Sequence, residues 1–239
     1  MNFNLNKNKN MMNQLRKSGL MLLALIMTVS VATAQTSAKP ETSDPKAKAL
    51  LDKVKKLYEG YQTLETGFTL TLKLAEQKKE EVQKGKIYQE GDRYRAEIGK
   101  RLFISDSKTV WQKEDNIVRI MNAASKKSND LMSPKDLMSI YEKKDYIYAI
   151  MGETTEGWSK KATIITFKPT NRKGDYTQIR VVIDQKTNQV VSMTAFGKDQ
   201  SRYKLSLEQP ITNKKYPADY FTFDKSKFPN VKVEDLRID

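Results

Sequence analysis

The 239-residue chain contains no cysteine and no histidine. Without cysteine there is no disulfide and no thiol to carry a lipid anchor, so apolar burial alone must hold the fold together. Without histidine, the usual general base near neutral pH and the commonest metal ligand are both missing. Long apolar runs are absent too, save the stretch from Leu20 to Val31, which is too short to span a bilayer comfortably. No nucleophile elbow, phosphate loop, calcium loop or Ser-x-x-Lys signature comes after it. Most Asp and Glu residues stand beside lysines in turn-like sequence, as on a solvated face. Asp106 and Asp184 are read as turn residues of this kind. These absences point away from an enzyme and predict no cofactor and no metal.

The short apolar stretch has a specific context. Lys7, Lys9, Arg16 and Lys17 precede it, and Ala32-Thr33-Ala34 closes it with a small-residue cleavage site. Residues 1–34 therefore read as a cleaved secretory signal peptide, which places the remaining chain, from Gln35, outside the cytoplasm as a soluble, exported protein. The signal carries four positive and no negative charges, so its removal lowers the net charge from +14 to +10. The remaining excess is spread over lysine pairs such as Lys78-Lys79 and Lys160-Lys161 and interleaved with acids. That is a soluble surface rather than a nucleic-acid footprint, and no basic helix or aromatic ribonucleoprotein motif is present.

Residues 35–43 are small and polar and read as a loose tail. Asp44-Pro45 is a helix start, and Ala47, Leu50, Leu51, Val54, Leu57, Tyr58 and Tyr61 lay one apolar stripe along about four turns. From Gly67 the period changes to two: Phe68, Leu70, Leu72 and Leu74 alternate with Thr69, Thr71 and Lys73. Similar short strands are expected at 94–98, 102–105, 109–112, 117–121, 163–168, 178–184, 190–196, 203–208 and 220–223. Short polar turns between them imply an antiparallel meander. Ser133-Pro134 starts a second, short helix carrying Leu137, Met138, Ile140 and Tyr141. The class is thus α+β, mainly antiparallel β. A twisted sheet of this size tends to curl, although alternation alone does not distinguish a filled core from a cavity.

Several segments, in order, resemble one known family. They are Asp44-Pro45 with Leu50-Leu51, Gly85-Lys86-Ile87-Tyr88 followed by Tyr94-Arg95-Ala96-Glu97, and Ile104-Ser105-Asp106-Ser107-Lys108-Thr109-Val110-Trp111. Phe167-Lys168-Pro169, Val182-Ile183-Asp184, Phe221-Thr222-Phe223 and the ending from Phe228-Pro229 to Leu236-Arg237 continue the series. Together they resemble the LolA-type outer-membrane lipoprotein carriers, periplasmic chaperones of Gram-negative bacteria. The resemblance implies one domain over residues 44–239, an incomplete, open β-barrel whose mid-chain helix acts as a lid over an apolar cavity. It also implies a role as carrier. The acyl chains of lipoproteins would be sheltered between an inner-membrane ATP-driven (ABC) transporter and the outer membrane, whose acceptor is unknown. The expected cavity lining is Phe68, Leu70, Leu72, Tyr94, Ala96, Ile98, Trp111, Val181 and Met193, with Trp111 equally suited to a core anchor. The expected lid residues are Leu137, Met138, Ile140 and Tyr141, and a monomer is expected.

Two departures from the family pattern stand out. Ser107 replaces the usual turn glycine, which suggests a turn that needs no positive φ. Glu90-Gly91-Asp92 stands where many members have an arginine-proline pair that latches the lid, so the latch is not carried over. Carriage of another lipid, a free lipid or a pigment precursor, is the alternative on the same fold.

Overall fold

Asp44 starts the first helix as the residue types predict. Its carboxylate accepts from the Lys46 backbone N–H at 2.8 Å, Pro45 takes the first helical position, and α1 runs Pro45–Glu59. In this computed structural model the described residues are 42–77, 79–123, 140–142, 144–171 and 174–237. The expected signal peptide, most of the expected tail, and Leu137 and Met138 of the expected lid lie outside them. Among the described residues no helix is long and apolar enough to cross a membrane.

Among the described residues, thirteen strands come after α1 in chain order. The first six are β1 (Thr63–Lys73), β2 (Glu81–Glu90), β3 (Arg93–Ile98), β4 (Arg101–Ser105), β5 (Thr109–Glu114) and β6 (Ile117–Asn122). After a 3-10 turn at Ile140–Glu142 come β7 (Tyr146–Thr154), β8 (Ala162–Pro169), β9 (Tyr176–Asp184), β10 (Val190–Gly197), β11 (Arg202–Leu207), β12 (Ile211–Thr212) and β13 (Lys232–Asp235). They form one sheet in the order β13-β6-β5-β4-β3-β2-β1-β11-β10-β9-β8-β7, with β12 beside β1. Every pairing is antiparallel except β13 on β6, which is parallel. β7 and β13 are the two ends of this order, so the sheet is not closed.

The expected meander is present, with three corrections. β7 was not anticipated, because the run Tyr146-Ile147-Tyr148-Ala149-Ile150 is apolar throughout and shows no alternation. The parallel strand β13 was likewise read only as a family ending. Residues 220–223, expected as a strand, instead form turns whose rings pack on the sheet.

Ala47, Leu51 and Val54 of α1 pack on Tyr148, Ile165, Phe167, Ile179, Val181, Ile183 and Val190. Full burial of side chains such as Leu51 and Val54 stabilises by roughly 1.5–3 kcal/mol each. The segment leading into α1 also caps the edge of the sheet. The Asp44 backbone N–H donates to the Tyr148 carbonyl at 2.8 Å, and the Ile150 N–H donates to the Asp44 carboxylate at 3.4 Å. An exposed edge is thereby partly occupied by the chain itself.

Candidate functional site

Directly paired residues on neighbouring strands share a face, so the register sorts every strand residue into the face that meets α1, the inner face, or the opposite, outer face. One inner row runs Ile150, Ile165, Val181, Met193, Leu205, Leu70 and ends at Gln83. A second runs Phe167, Ile179, Ala195, Tyr203, Leu72 and ends at Glu81. A third runs Leu207, Phe68, Gly85, Ile98 and ends at Arg101. Thr66, Ile87, Ala96 and Phe103 make a fourth, ending at Gln112. The inner face is therefore a continuous apolar band bounded by polar side chains.

All the expected lining residues fall on this band or its margin except Trp111. Trp111 pairs with Ile104 and Ile120 on the outer face, in register with Arg95. Alternation gives the two faces of a strand but not which one is inner, and for Trp111 the functional assignment chose wrongly. The remaining residues differ in what they touch. Val181 is 4% exposed within the cluster under α1, and Phe68, Ile87, Ala96 and Ile98 form a second packed cluster with Phe103, Leu205 and Leu207. Phe68 lies across Gly85, where an added Cβ would come within 2.4 Å of its ring. Leu70, Leu72, Met193, Tyr203 and Leu205 are only half-buried, Met193 packing on the first cluster and Leu205 on the second, and Tyr94 is half-buried further along the same face. That strip is the inner face's accessible apolar surface.

At the end of α1 a pocket of about 420 Å³ opens between Tyr58 and Tyr61 of the helix end and Leu64, Gln89 and Gly91 of the sheet. Burial pushes the Tyr58 hydroxyl up to about 12, and that oxygen accepts from the Val190 N–H at 3.2 Å. Tyr61 accepts from the Gln189 side-chain amide at 2.8 Å. Lys55, Glu59 and Glu142 give the rim a charged character, so this pocket is mixed rather than wholly apolar. Sequence reasoning missed it because its walls come from a helix end and two strand ends, where periodicity carries no signal. Tyr58 and Tyr61, singled out only as helix-stripe residues, were the available cue.

Of the expected lid residues, Ile140 and Tyr141 fall in the 3-10 turn. Tyr141 is buried in the α1 cluster, donates to Asp52 at 3.0 Å, and lies edge-on to Tyr148. It is a core anchor here, with Glu142 paired to Lys55 beside it. No interaction of a lid helix with the inner face belongs to the described residues.

The C-terminal segment covers the part of the outer face around Glu65 of β1, Tyr88 of β2 and Arg93 and Arg95 of β3. Phe221 is fully buried there, Tyr216 stacks on Tyr220, and Arg93 and Arg95 lie over the Phe221 and Tyr220 rings. Beneath them Glu65, 4% exposed, pairs with Lys86 at 2.5 Å and Lys214 at 2.8 Å and accepts from the Tyr216 hydroxyl at 2.8 Å. Hydrogen bonds from Lys214 and Lys86 hold its carboxyl down at about 2. Asp184 is also a correction to its reading as a solvated turn residue, because it is fully buried. Burial raises its pKa, yet the backbone N–H groups of Ser159 and Thr187, at 2.7 and 2.9 Å, bring it down to about 2.

No curated protein matches the chain. An uncharacterized conserved protein from Thermus thermophilus has a similar structure, with 13% identity, a TM-score of 0.52, and coverage of 80% of this chain and 99% of that one. A LolA superfamily protein from Nitrosomonas europaea gives 8% identity and a TM-score of 0.39 over 74% of this chain and 97% of its own. The Mycobacterium tuberculosis lipoprotein LppX gives 12% identity and a TM-score of 0.47 over 74% of this chain and 100% of its own. Of these three, only the Thermus structure bears on architecture, and it supports a shared fold alone. The sequence comparison goes further: the family model described as outer membrane lipoprotein carrier protein LolA matches residues 59–224, from the end of α1 to just past the Phe221 plug. With that match spanning twelve of the thirteen strands of the open sheet and its apolar inner face, this chain belongs to the LolA family.

Proposed function

We propose that the protein carries acylated lipoproteins through the periplasm, taking them from an inner-membrane ATP-driven transporter and releasing them at the outer membrane. The observation that carries this reading is the half-buried apolar strip of Leu70, Leu72, Met193, Tyr203 and Leu205 on the inner face of a LolA-family sheet. Moving acyl chains through water requires replacing the contacts a bilayer gives them. At about 0.8 kcal/mol per methylene, three long chains represent on the order of 30 kcal/mol. Only a broad apolar face with further cover offsets most of that. The half-buried state of Met193 and Leu205 suits repacking around different chains and leaves binding reversible.

The proposed role involves no covalent chemistry. Glu65 and Asp184, the buried carboxylates, are saturated by lysines, a tyrosine and backbone N–H groups, and both ionise far below neutrality. Neither is poised as an acid or base at pH 7. The protein is proposed to act as a monomer.

Carriage of a free lipid is the second reading, favoured by the mixed pocket at Tyr58, Tyr61 and Leu64, whose 420 Å³ suits a small amphiphile. Spheroplasts holding a newly made acylated lipoprotein separate the two. Added protein should bring the lipoprotein into the supernatant as a soluble complex. Leu70→Asp should cut release at least tenfold while leaving a folded protein. Absence of release by the folded wild-type protein, with a free lipid copurifying, would replace the first reading by the second.

A further inference from the structure

The outer face carries a feature that the carrier reading does not use. Three adjacent cross-strand rows over β9, β10, β11, β1 and β2 bring Arg180, Arg202, Lys204, Lys73 and Lys84 onto one block of this face. No position in those rows is acidic. Lys73 stands directly opposite Arg202 across β1 and β11, a like-charge pairing that weakens a sheet. Arg180 and Arg202 lie over the same ring, Phe196, at 5.3 and 5.6 Å from its centroid. Among the described residues, Glu156 is the one carboxylate paired with the block, and it is bonded to Lys204 at 2.5 Å. Arg180, Arg202, Lys73 and Lys84 are exposed and form no ion pair among the described residues.

Cations held in register across a sheet repel one another, and an anionic partner would neutralise them. The block is a sheet face rather than a pocket, with the Thr71 and Thr194 hydroxyls standing between the cations. At its margin is an exposed apolar group, Val82 at 56%. Guanidinium and ammonium groups on a shallow surface, hydroxyl donors between them and an apolar fringe match the phosphates and interface of a bilayer. The net charge of +10 on the chain from Gln35 adds long-range attraction to the same surface.

We infer that this block docks the protein reversibly on the headgroups of anionic phospholipids. The inference rests on the carrier reading for its purpose, since a carrier meets a bilayer at each end of its route, but not for its geometry.

Cosedimentation of the purified protein with vesicles tests it directly. Binding is expected to vesicles of phosphatidylglycerol and phosphatidylcholine, not to phosphatidylcholine alone, and to vanish as salt rises. The triple variant Lys73→Gln, Arg180→Gln, Arg202→Gln should bind about a hundredfold more weakly, at roughly fivefold per cation. Its thermal stability at low salt should equal or exceed that of the wild type, because a like-charge pairing is relieved. A control triple of Lys46→Gln, Lys53→Gln and Lys215→Gln removes the same charge elsewhere and should weaken binding far less. Equal loss in both triples would assign the effect to net charge and overturn the site. So would equal binding to neutral vesicles, or binding to polyglutamate with none to anionic vesicles. Lipoprotein release from spheroplasts, measured in parallel, keeps the readings separate: vesicle docking without release sinks only the carrier role, and release without docking sinks only this inference.

Discussion

Ser107 occupies a positive φ of 81° in the tight turn between β4 and β5, so the expectation that a serine there signals an ordinary turn is reversed. Asp106 shapes this turn by accepting from the Lys108 and Thr109 N–H groups at 2.8 and 2.7 Å, which leaves Ser107 to absorb the left-handed conformation. Ser107→Gly removes the Cβ penalty, and urea unfolding should show a gain of about 0.5–1 kcal/mol. A loss would mean that the Ser107 side chain contributes more than its backbone costs. Gly85 is the converse case. A Cβ there would lie 2.4 Å from Phe68 Cζ and 2.5 Å from the Glu97 carbonyl oxygen, and a backbone atom does not yield easily. Gly85→Ala should destabilise by about 1–3 kcal/mol in the same measurement. An unchanged midpoint would show that β2 and β3 separate freely there. Glu65 supplies a pH signature. Its carboxyl falls from the ordinary 4.5 to about 2 in the folded state, so its contribution is complete above 4.5 and is lost as pH falls through 2. The shift corresponds to something on the order of 3 kcal/mol. Glu65→Gln should therefore flatten the stability profile across that acid window. A slope equal to the wild type's would assign it elsewhere, with Asp184 the next candidate.

At the scale of elements, α1 and β7 act as a unit, joined by the Asp44 contacts with Tyr148 and Ile150 and by the burial of Leu51 and Val54. Asp44→Ala removes both the helix cap and an edge contact, and a loss of about 1 kcal/mol is expected in thermal unfolding. An unaltered melting temperature would mean that the cap is dispensable. The sequence announced α1 clearly, because Asp44-Pro45 and a regular apolar stripe point the same way. Alternation located most strands of the meander. β7 was hidden because a strand apolar throughout resembles any buried segment, and the bulge between Ile150 and Gly152 interrupts the remainder of the strand. Residues 220–223 misled for the opposite reason: aromatic alternation looks like a strand, yet these rings close the outer face from turns.

For the whole molecule, the inner face was largely legible. Phe68, Leu70, Leu72, Ala96, Ile98, Val181 and Met193 share it because they alternate on strands whose pairings are regular. Which face is inner, and which residues on it are packed rather than accessible, depends on where α1 and the C-terminal segment settle, and no local pattern records that. Trp111 went to the wrong face and Val181 into the core for this reason. The same register that makes the inner face apolar makes part of the outer face cationic, so one sheet has a greasy surface, which the carrier reading gives to cargo, and a charged one, which the docking inference gives to a bilayer. The most direct test of the carrier reading places a photo-crosslinking residue at Leu70, Leu205 or Trp111 in turn, with a lipoprotein bearing radiolabelled acyl chains. Label should transfer to positions 70 and 205 on the inner face and not to 111. Label at 111 with none at 70 or 205 would contradict an inner-face site for the acyl chains.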